Sequence, residues 1–444
     1  MKNRNFSITL IVLLVCLLLA SCNQSNTLPP AETTPPVITE PEAVPQHTDI
    51  PANNNRSIGL HRIKYFDGYI YLYSADSTNG KKYLTNSDFL RYNPDTGNLT
   101  YVCNDPLCDH LTVDCPIYGM MSFNVHENKI YFSKAYRRLT TQNGESIKEI
   151  FSGFCCYDLE SHKLKNLAVY MDEKDTDKNF SVALNTNDLY FENYRFSYSK
   201  KKDDQSGDIV KTVERMDLIS GESVAFENIQ SNDGVLTPVD TVAYLFHGDG
   251  RIFFTDYKSI FSTDINLQDK KTIAEGVFTE AVYSNGEYVV WQIDDELHIM
   301  NLDGSNAYNT GIKTVSNYTG YIVLTEKYIY YRSNEQISLG TNSSAQVGGE
   351  IVLEGKDIHR YSFESKTDEI VWSFEGEYEH TRIIDQWIVL DGVIYAMYES
   401  WGTPNVEGKY TEADHYKSWS ANNTNSIIKI DTNNKTVDIV EMIP

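Results

Sequence analysis

The chain has 444 residues, of which 12% are aromatic, and a formal net charge of −24 that becomes −26 without residues 1–21, which hold Lys2 and Arg4 and no acidic residue. So acidic a surface repels phosphate backbones, and nucleic acid is therefore excluded as an expected partner. Large flat side chains suit strands packed face to face, and helical periodicity is absent beyond the N-terminal leader. The composition therefore favours an all-β fold.

The first residues have the layout of a bacterial export signal. Lys2 and Arg4 precede an apolar run over residues 8–19 that is too short for a comfortable membrane span and is typical of a cleaved signal peptide. The sequence Leu19-Ala20-Ser21-Cys22 resembles the lipobox of bacterial lipoproteins. The resemblance implies cleavage of residues 1–21 and acylation of Cys22, with chains such as palmitate holding the protein on the outer face of the cell membrane. The alternative is an ordinary secretory signal.

Residues 22–56 form the next segment, which is rich in Pro, Thr, Glu and Asn. The segment has too few apolar residues to form a core, so we expect a disordered tether of polyproline character. Such a tether would lift the folded domain away from the bilayer.

Two short sequence motifs, called phrases below, alternate seven times through residues 57–444. A turn residue followed by an aromatic strand recurs at residues 67–73, 127–132, 187–191, 250–254, 286–291, 326–331 and 391–398. A second alternating strand that runs into a polar turn recurs at residues 89–97, 155–161, 213–221, 260–264, 296–306, 358–365 and 427–433. Seven pairs predict a seven-bladed β-propeller of four-stranded antiparallel blades.

The clearest copy, residues 296–306, contains the phrase NLDGSN, in which Gly304 supplies the positive φ that a tight turn needs. This phrase resembles the repeats of TolB-like and WD-type propellers. Together with the lipobox and the proline-rich segment, the degenerate repeats resemble propeller lipoproteins of Gram-positive bacteria. That resemblance implies a fold and a location and says little about activity.

Extra residues collect between the second and third strands of blades 1, 2, 3, 6 and 7. They fall at residues 74–88, 133–153, 192–212, 332–357 and 399–425. In an up-and-down blade these loops emerge on the same face as the links between blades, and we call this the looped face. Insertions on one face of a repeat array usually mark its binding side, although they can also simply shield the blade ends.

The predicted link from blade 1 to blade 2 contains Cys103, Cys108, His110 and Cys115 with the spacing C-x4-C-x-H-x4-C. Three thiols and one imidazole are a ligand set that tetrahedral zinc accepts, and four protein ligands would make a closed structural site without a catalytic position. The segment resembles a cysteine-rich insertion of the same propeller lipoproteins.

Cys155 and Cys156 begin the third strand of blade 2, and we expect them to lie close to the three cysteines of the link. An oxidising exterior favours disulfides, but the odd number of five thiols leaves at least one unpaired, bound to metal or joined to another chain. Disulfides, a structural zinc ion and free thiols therefore all stay open. A vicinal disulfide between Cys155 and Cys156 would resemble that of quinone-dependent propeller dehydrogenases, which share only the fold class.

The common hydrolase and nucleotide-binding motifs are absent from the sequence. The predicted loop of blade 7 mixes carboxylates with aromatic residues that can stack on sugar rings, namely Trp401, Tyr410, Tyr416 and Trp419. The same aromatic rings could instead pack on each other and stabilise the loop.

The sequence thus predicts a membrane-anchored extracytoplasmic propeller that binds a glycan, a peptide or a surface protein and is not an enzyme. The alternative is an extracellular carbohydrate-active hydrolase or lyase with acidic residues near the central channel, because such enzymes use paired carboxylates.

Overall fold

The computed structural model describes Asp49 and residues 63–441, with gaps at 76–86, 104, 109–113, 143–144, 175–188, 203–208, 229–244, 256–258, 276–280, 294–295, 315–321, 342–349, 380 and 401–425. Apart from one 3₁₀ turn at Gly376–Tyr378, all regular structure within these ranges is β-strand. The expectation of an all-β chain is confirmed.

The strands form seven antiparallel sheets of four strands each. Blade 1 consists of β1 Ile63–Phe66, β2 Tyr69–Ala75, β3 Ser87–Tyr92 and β4 Leu99–Tyr101. Blade 2 consists of β5 Met120–His126, β6 Lys129–Gln142, β7 Glu145–Asp158 and β8 Leu164–Lys174. Blade 3 consists of β9 Leu189–Phe191, β10 Tyr194–Lys202, β11 Ile209–Asp217 and β12 Ser223–Asn228. Blade 4 consists of β13 Leu245–Gly248, β14 Arg251–Thr255, β15 Ser259–Thr263 and β16 Lys271–Glu275. Blade 5 consists of β17 Ala281–Ser284, β18 Tyr288–Ile293, β19 Glu296–Asn301 and β20 Tyr308–Lys313.

Blade 6 carries an additional hairpin, so its six strands are β21 Ile322–Leu324, β22 Tyr328–Arg332, β23 Gln336–Thr341, β24 Glu350–Glu354, β25 Asp357–Ser362 and β26 Asp368–Ser373. The sheet itself runs β21-β22-β25-β26, and β23 pairs only with β24. Blade 7 consists of β27 Thr381–Leu390, β28 Val393–Ser400, β29 Ser426–Asp431 and β30 Thr436–Glu441. The predicted seven-bladed propeller of four-stranded blades is confirmed.

Each blade is a meander built from one continuous stretch of chain, and the ring closes where the first strand of blade 7, β27, contacts β1 of blade 1. Apolar side chains from both blades fill this junction, including Ile63 and Leu90 from blade 1 with Leu390 from blade 7. The rings of Tyr92 and Tyr395 also meet there, with their centroids 6.1 Å apart. The core thus lies between neighbouring sheets, where aromatic side chains have the size to fill the gap.

The second sequence phrase often ends in Asp or another short polar residue. This residue stabilises the turn that follows the third strand of the blade. In blade 2, the Asp158 Oδ1 atom accepts hydrogen bonds from the backbone N–H of Glu160 at 3.1 Å and of Ser161 at 2.7 Å. Asp217 and Asp431 do the same in blades 3 and 7. These hydrogen bonds fix the turn locally, as is usual for Asp and Asn. They lie on the face that holds the first-to-second and third-to-fourth turns, which we call the turn face.

The opposite, looped face carries hairpins of very different lengths. The β6–β7 pair continues from Lys129 opposite Asp158 out to Gln142 opposite Glu145, and the β10–β11 pair continues to Lys202 opposite Ile209. Blades 4 and 5 connect their second and third strands through only residues 256–258 and 294–295. The insertions therefore lie where the repeats predict them.

Candidate functional site

Three cysteines of the link between β4 and β5 come together. The Sγ atoms of Cys103, Cys108 and Cys115 all lie within 4.8 Å of one another. Cys103 is 3% exposed and Cys115 is fully buried, whereas Cys108 is half-buried. Cysteines spread over thirteen positions of the sequence thus form one compact group of sulfur atoms, which we call the sulfur cluster.

Two backbone N–H groups of the link donate hydrogen bonds to two of these sulfur atoms. The N–H of Asp105 donates to Cys103 Sγ, and the N–H of Ile117 donates to Cys115 Sγ. Asp105 also holds its own loop, because its carbonyl oxygen accepts from the N–H of Cys108 at 3.1 Å. Both donors lie two residues after the cysteine they contact, so the link makes a similar turn around each sulfur.

The link is fixed to the neighbouring strand β6 at Gly119. The N–H of Ala135 donates to the Gly119 carbonyl oxygen at 2.8 Å. Gly119 has φ +72°, and a Cβ atom added there would lie 2.5 Å from the Ala135 carbonyl oxygen. Only glycine suits this position, because it combines left-handed backbone with no room for a side chain.

The surroundings of the sulfur cluster are apolar, with Val102, Ile117 and Phe123 among the buried neighbours. Burial raises the pKa of the Cys103 and Cys115 thiols, and the backbone N–H groups partly oppose this by stabilising the thiolates.

The nearby Lys134 side chain is only 5% exposed, and its Nζ donates to the Pro116 carbonyl oxygen at 3.0 Å. Burial lowers the pKa of Lys134, and the thiols of Cys155 and Cys115 counteract this. A buried lysine side chain therefore lies beside the sulfur cluster.

Cys155 and Cys156 do not join this group. Cys155 lies in the same apolar region between blades 1 and 2, but its thiol donates to Asn166 Oδ1 at 3.3 Å. Burial raises the pKa of Cys155 to about 12. Cys156 lies on the other side of the sheet, between blades 2 and 3, beside Tyr131.

The expectation that all five thiols lie close together is wrong for Cys156, because successive side chains of a strand point to opposite faces of the sheet. The same alternation separates the two thiols that a vicinal disulfide would join. No disulfide connects any of the five cysteines that the structure describes.

The other predicted site residues fall outside the described residues: the lipidation site Cys22, the proposed fourth ligand His110, and the aromatic residues Trp401, Tyr410, Tyr416 and Trp419. The strands on either side of the aromatic loop are described, however. β28 ends at Ser400 and β29 begins at Ser426, and this connection is a second-to-third loop. It therefore leaves the blade on the looped face.

A contact that the sequence did not predict lies on the turn face. Asp49 falls within the segment predicted as a tether, but it is only 7% exposed and hydrogen-bonds to blades 6 and 7. Its N–H donates to Asp391 Oδ1 at 2.8 Å, and its carboxylate accepts from the hydroxyl of Tyr330 at 3.2 Å. Burial raises the pKa of Asp49, and hydrogen bonds from Thr325 and Tyr330 oppose that shift. Thr325 and Asp391 both belong to first-to-second turns, which places Asp49 on the turn face.

First strands of neighbouring blades contact each other, as β1 does with β5 and with β27, which places them around the propeller axis. Within the described parts of these seven strands, Asp385 is the only carboxylate. A glycosidase needs two carboxyl groups that face each other across the substrate.

The described part of the chain contains no helix with the length and apolarity needed to cross a membrane.

The arrangement of sheets defines a β-propeller protein. No protein-family model matches the chain, and no curated protein matches it. Among solved structures, the chain is similar to the β-propeller domain of the trilobed protease from Pyrococcus furiosus, with 11% identity over 87% of this chain and 96% of that one, at a TM-score of 0.45. It is similar to the Pyrococcus horikoshii acylaminoacyl peptidase, with 9% identity over 84% of this chain and 57% of that one, at a TM-score of 0.42. The chain thus spans a little over half of the peptidase, and at such identities the likeness is one of fold.

Proposed function

We propose that this protein is a lipid-anchored binding module on the extracytoplasmic face of a bacterial cell membrane. Its lipid would be carried by Cys22, and its propeller would hold a glycan, a peptide or a surface protein on the looped face. The rigid ring would supply the platform, and the loops between second and third strands would supply the ligand contacts, as loops on repeat scaffolds commonly do.

The observation that carries this proposal is the position of Asp49 relative to the long hairpins. The chain enters the propeller on the turn face, where Asp49 contacts the turns of blades 6 and 7. The hairpins of blades 2 and 3 extend on the opposite side. A tether that ends at Asp49 would therefore join the propeller on the turn face, opposite the long hairpins. At ~3.1 Å per residue, a fully extended tether of polyproline character would span roughly 80 Å.

A glycan is the ligand that the sequence of the blade 7 loop favours. The indole and phenol faces of Trp401, Tyr410, Tyr416 and Trp419 can stack on sugar rings, and the neighbouring carboxylates can accept hydrogen bonds from sugar hydroxyls. The net charge of −26 without residues 1–21 favours neutral or cationic glycans over anionic ones.

Binding to a panel of soluble glycans tests the proposal, with the full-length protein held in detergent micelles. Trp401→Ala and Trp419→Ala should each weaken binding about tenfold. The matched control is Ile219→Ala, which removes an apolar side chain that is 67% exposed in the third-to-fourth turn of blade 3 and should leave binding unchanged. Failure to bind any glycan, or equal binding by both tryptophan variants and the native protein, removes the glycan as the ligand.

Product analysis on the same panel separates the binding module from the hydrolase or lyase alternative. A binding module returns every polysaccharide unchanged, whereas an enzyme shortens its substrate. Release of oligosaccharides that is lost in Asp385→Asn would favour the enzyme, because Asp385 is the carboxylate on the described inner strands.

A further inference from the structure

We propose that the sulfur cluster of Cys103, Cys108 and Cys115 binds one zinc ion, which fastens the link between blades 1 and 2. This proposal does not depend on the proposed function. Soft thiolate ligands in a compact group select zinc over the hard cations Mg²⁺ and Ca²⁺.

The distances between the sulfurs suit one ion. A tetrahedral zinc with Zn–S bonds of about 2.3 Å holds its sulfurs about 3.8 Å apart. The three Sγ atoms lie within 4.8 Å of one another, so small side-chain rotations bring all three to bonding distance. A disulfide can join only two of them and would leave the third cysteine in the same apolar pocket.

The backbone of the link supplies hydrogen-bond donors that would stabilise thiolates once a metal ion binds. Cys103 and Cys115 each accept a backbone N–H, from Asp105 and Ile117, at the sulfur atom. An N–H donor stabilises a negatively charged sulfur far more than a neutral disulfide sulfur. The backbone is thus arranged for the charge state in which cysteine binds metal.

Burial by itself keeps the thiols protonated, so zinc binding must offset the cost of forming buried thiolates. Two of the three sulfurs are almost completely buried among apolar side chains, where unpaired thiolates are costly. A divalent ion offsets most of that cost, because its two positive charges leave the three thiolates with a net charge of only −1. The exchange is balanced without any redox step: Zn²⁺ binds three thiolates, and the three thiol protons pass to solvent.

The half-buried Cys108 is the sulfur nearest to solvent and gives the ion an entry path. Cys155 is not a ligand, because it lies outside the group and donates to Asn166 Oδ1. Three protein sulfurs therefore hold the ion, and a fourth ligand completes the tetrahedron.

Metal analysis of the full-length protein purified without chelator tests the site, together with mapping of each cysteine by alkylation after denaturation. We expect one zinc ion per chain and alkylation of Cys103, Cys108 and Cys115 without reductant. Cys108→Ser should lose the zinc, whereas Cys156→Ser, a buried cysteine on the other side of the same blade, should retain it.

Titration of metal-free native protein with Co²⁺ keeps the test valid if Cys108→Ser does not fold. Binding should give the intense near-ultraviolet bands of cobalt–thiolate bonds, and zinc should displace them. Absence of zinc, a disulfide among the three cysteines, missing cobalt–thiolate bands, or full zinc content in a folded Cys108→Ser variant would each overturn the proposal.

Discussion

Asp49 and Asp391 exchange two hydrogen bonds although 342 positions separate them in the chain. The N–H of Asp49 donates to Asp391 Oδ1 at 2.8 Å, and the N–H of Asp391 donates to the Asp49 carbonyl oxygen at 2.9 Å. The carboxylate of Asp49 accepts from Tyr330 of blade 6. The chain ahead of blade 1 is therefore fastened to blades 6 and 7, close to the junction where the ring closes.

Replacing Asp49 by alanine should lower the free energy of unfolding by about 2 kcal/mol, because the substitution removes the buried acceptor of the Tyr330 hydroxyl. Chemical denaturation of the full chain measures this loss. Asp49→Asn is the matched control, since its amide oxygen can accept the same hydrogen bond, and equal stability of the alanine variant and the native protein would contradict the contact.

The stability that Asp49 contributes should fall as the pH rises. Burial raises its pKa above the ordinary 3.8, so the folded state retains the proton to higher pH than the unfolded state does. The contribution is fully present below the unfolded pKa and is lost as the pH rises through the folded pKa. Lys327 opposes the shift and Asp391 adds to it. Native protein should therefore lose stability relative to Asp49→Asn across this window, and a pH-independent difference would show that Asp49 is not buried.

The turn of blade 2 provides a local test of the repeat. Asp158→Ala removes the acceptor for the N–H groups of Glu160 and Ser161 and should cost about 1 kcal/mol of unfolding free energy. Asp158→Asn should retain most of the stability, because asparagine forms the same turn. If the two variants are equally unstable, the carboxylate charge rather than the hydrogen-bond geometry stabilises the turn.

His110 is the residue that the sequence predicts as the fourth zinc ligand. His110→Ala should therefore lower zinc affinity at least about tenfold in a competition with a chelator. His359→Ala is a suitable control, since this histidine contacts Asp368 in blade 6. Unchanged affinity in His110→Ala would assign the fourth position to another ligand, such as water.

The repeats made the architecture predictable because blades are built from local signals. The Asp158 and Asp217 turns and the glycine at position 304 act within a few residues of themselves. The grouping of Cys103, Cys108 and Cys115 was predictable for the same reason, since one short link carries all three.

Three features were predicted less well, for different reasons. The alternation of side chains along a strand already separates Cys156 from Cys155, so the sequence held that information. The burial of Asp49 was not readable from its surroundings in the sequence, because its partners Tyr330 and Asp391 lie hundreds of positions away. The buried Lys134 was missed because its hydrogen bond to Pro116 depends on how the link packs against β6.

The central claim is that the looped face binds the ligand while the turn face holds the tether. It is tested most directly by blocking one face at a time with an antibody fragment bound to an inserted epitope tag. One tag is placed between β23 and β24 on the looped face, and the other follows Asn434 in the turn between β29 and β30. We expect the fragment on the looped face to abolish polysaccharide binding and the fragment on the turn face to leave it intact. Loss of binding only with the turn-face fragment would contradict the account.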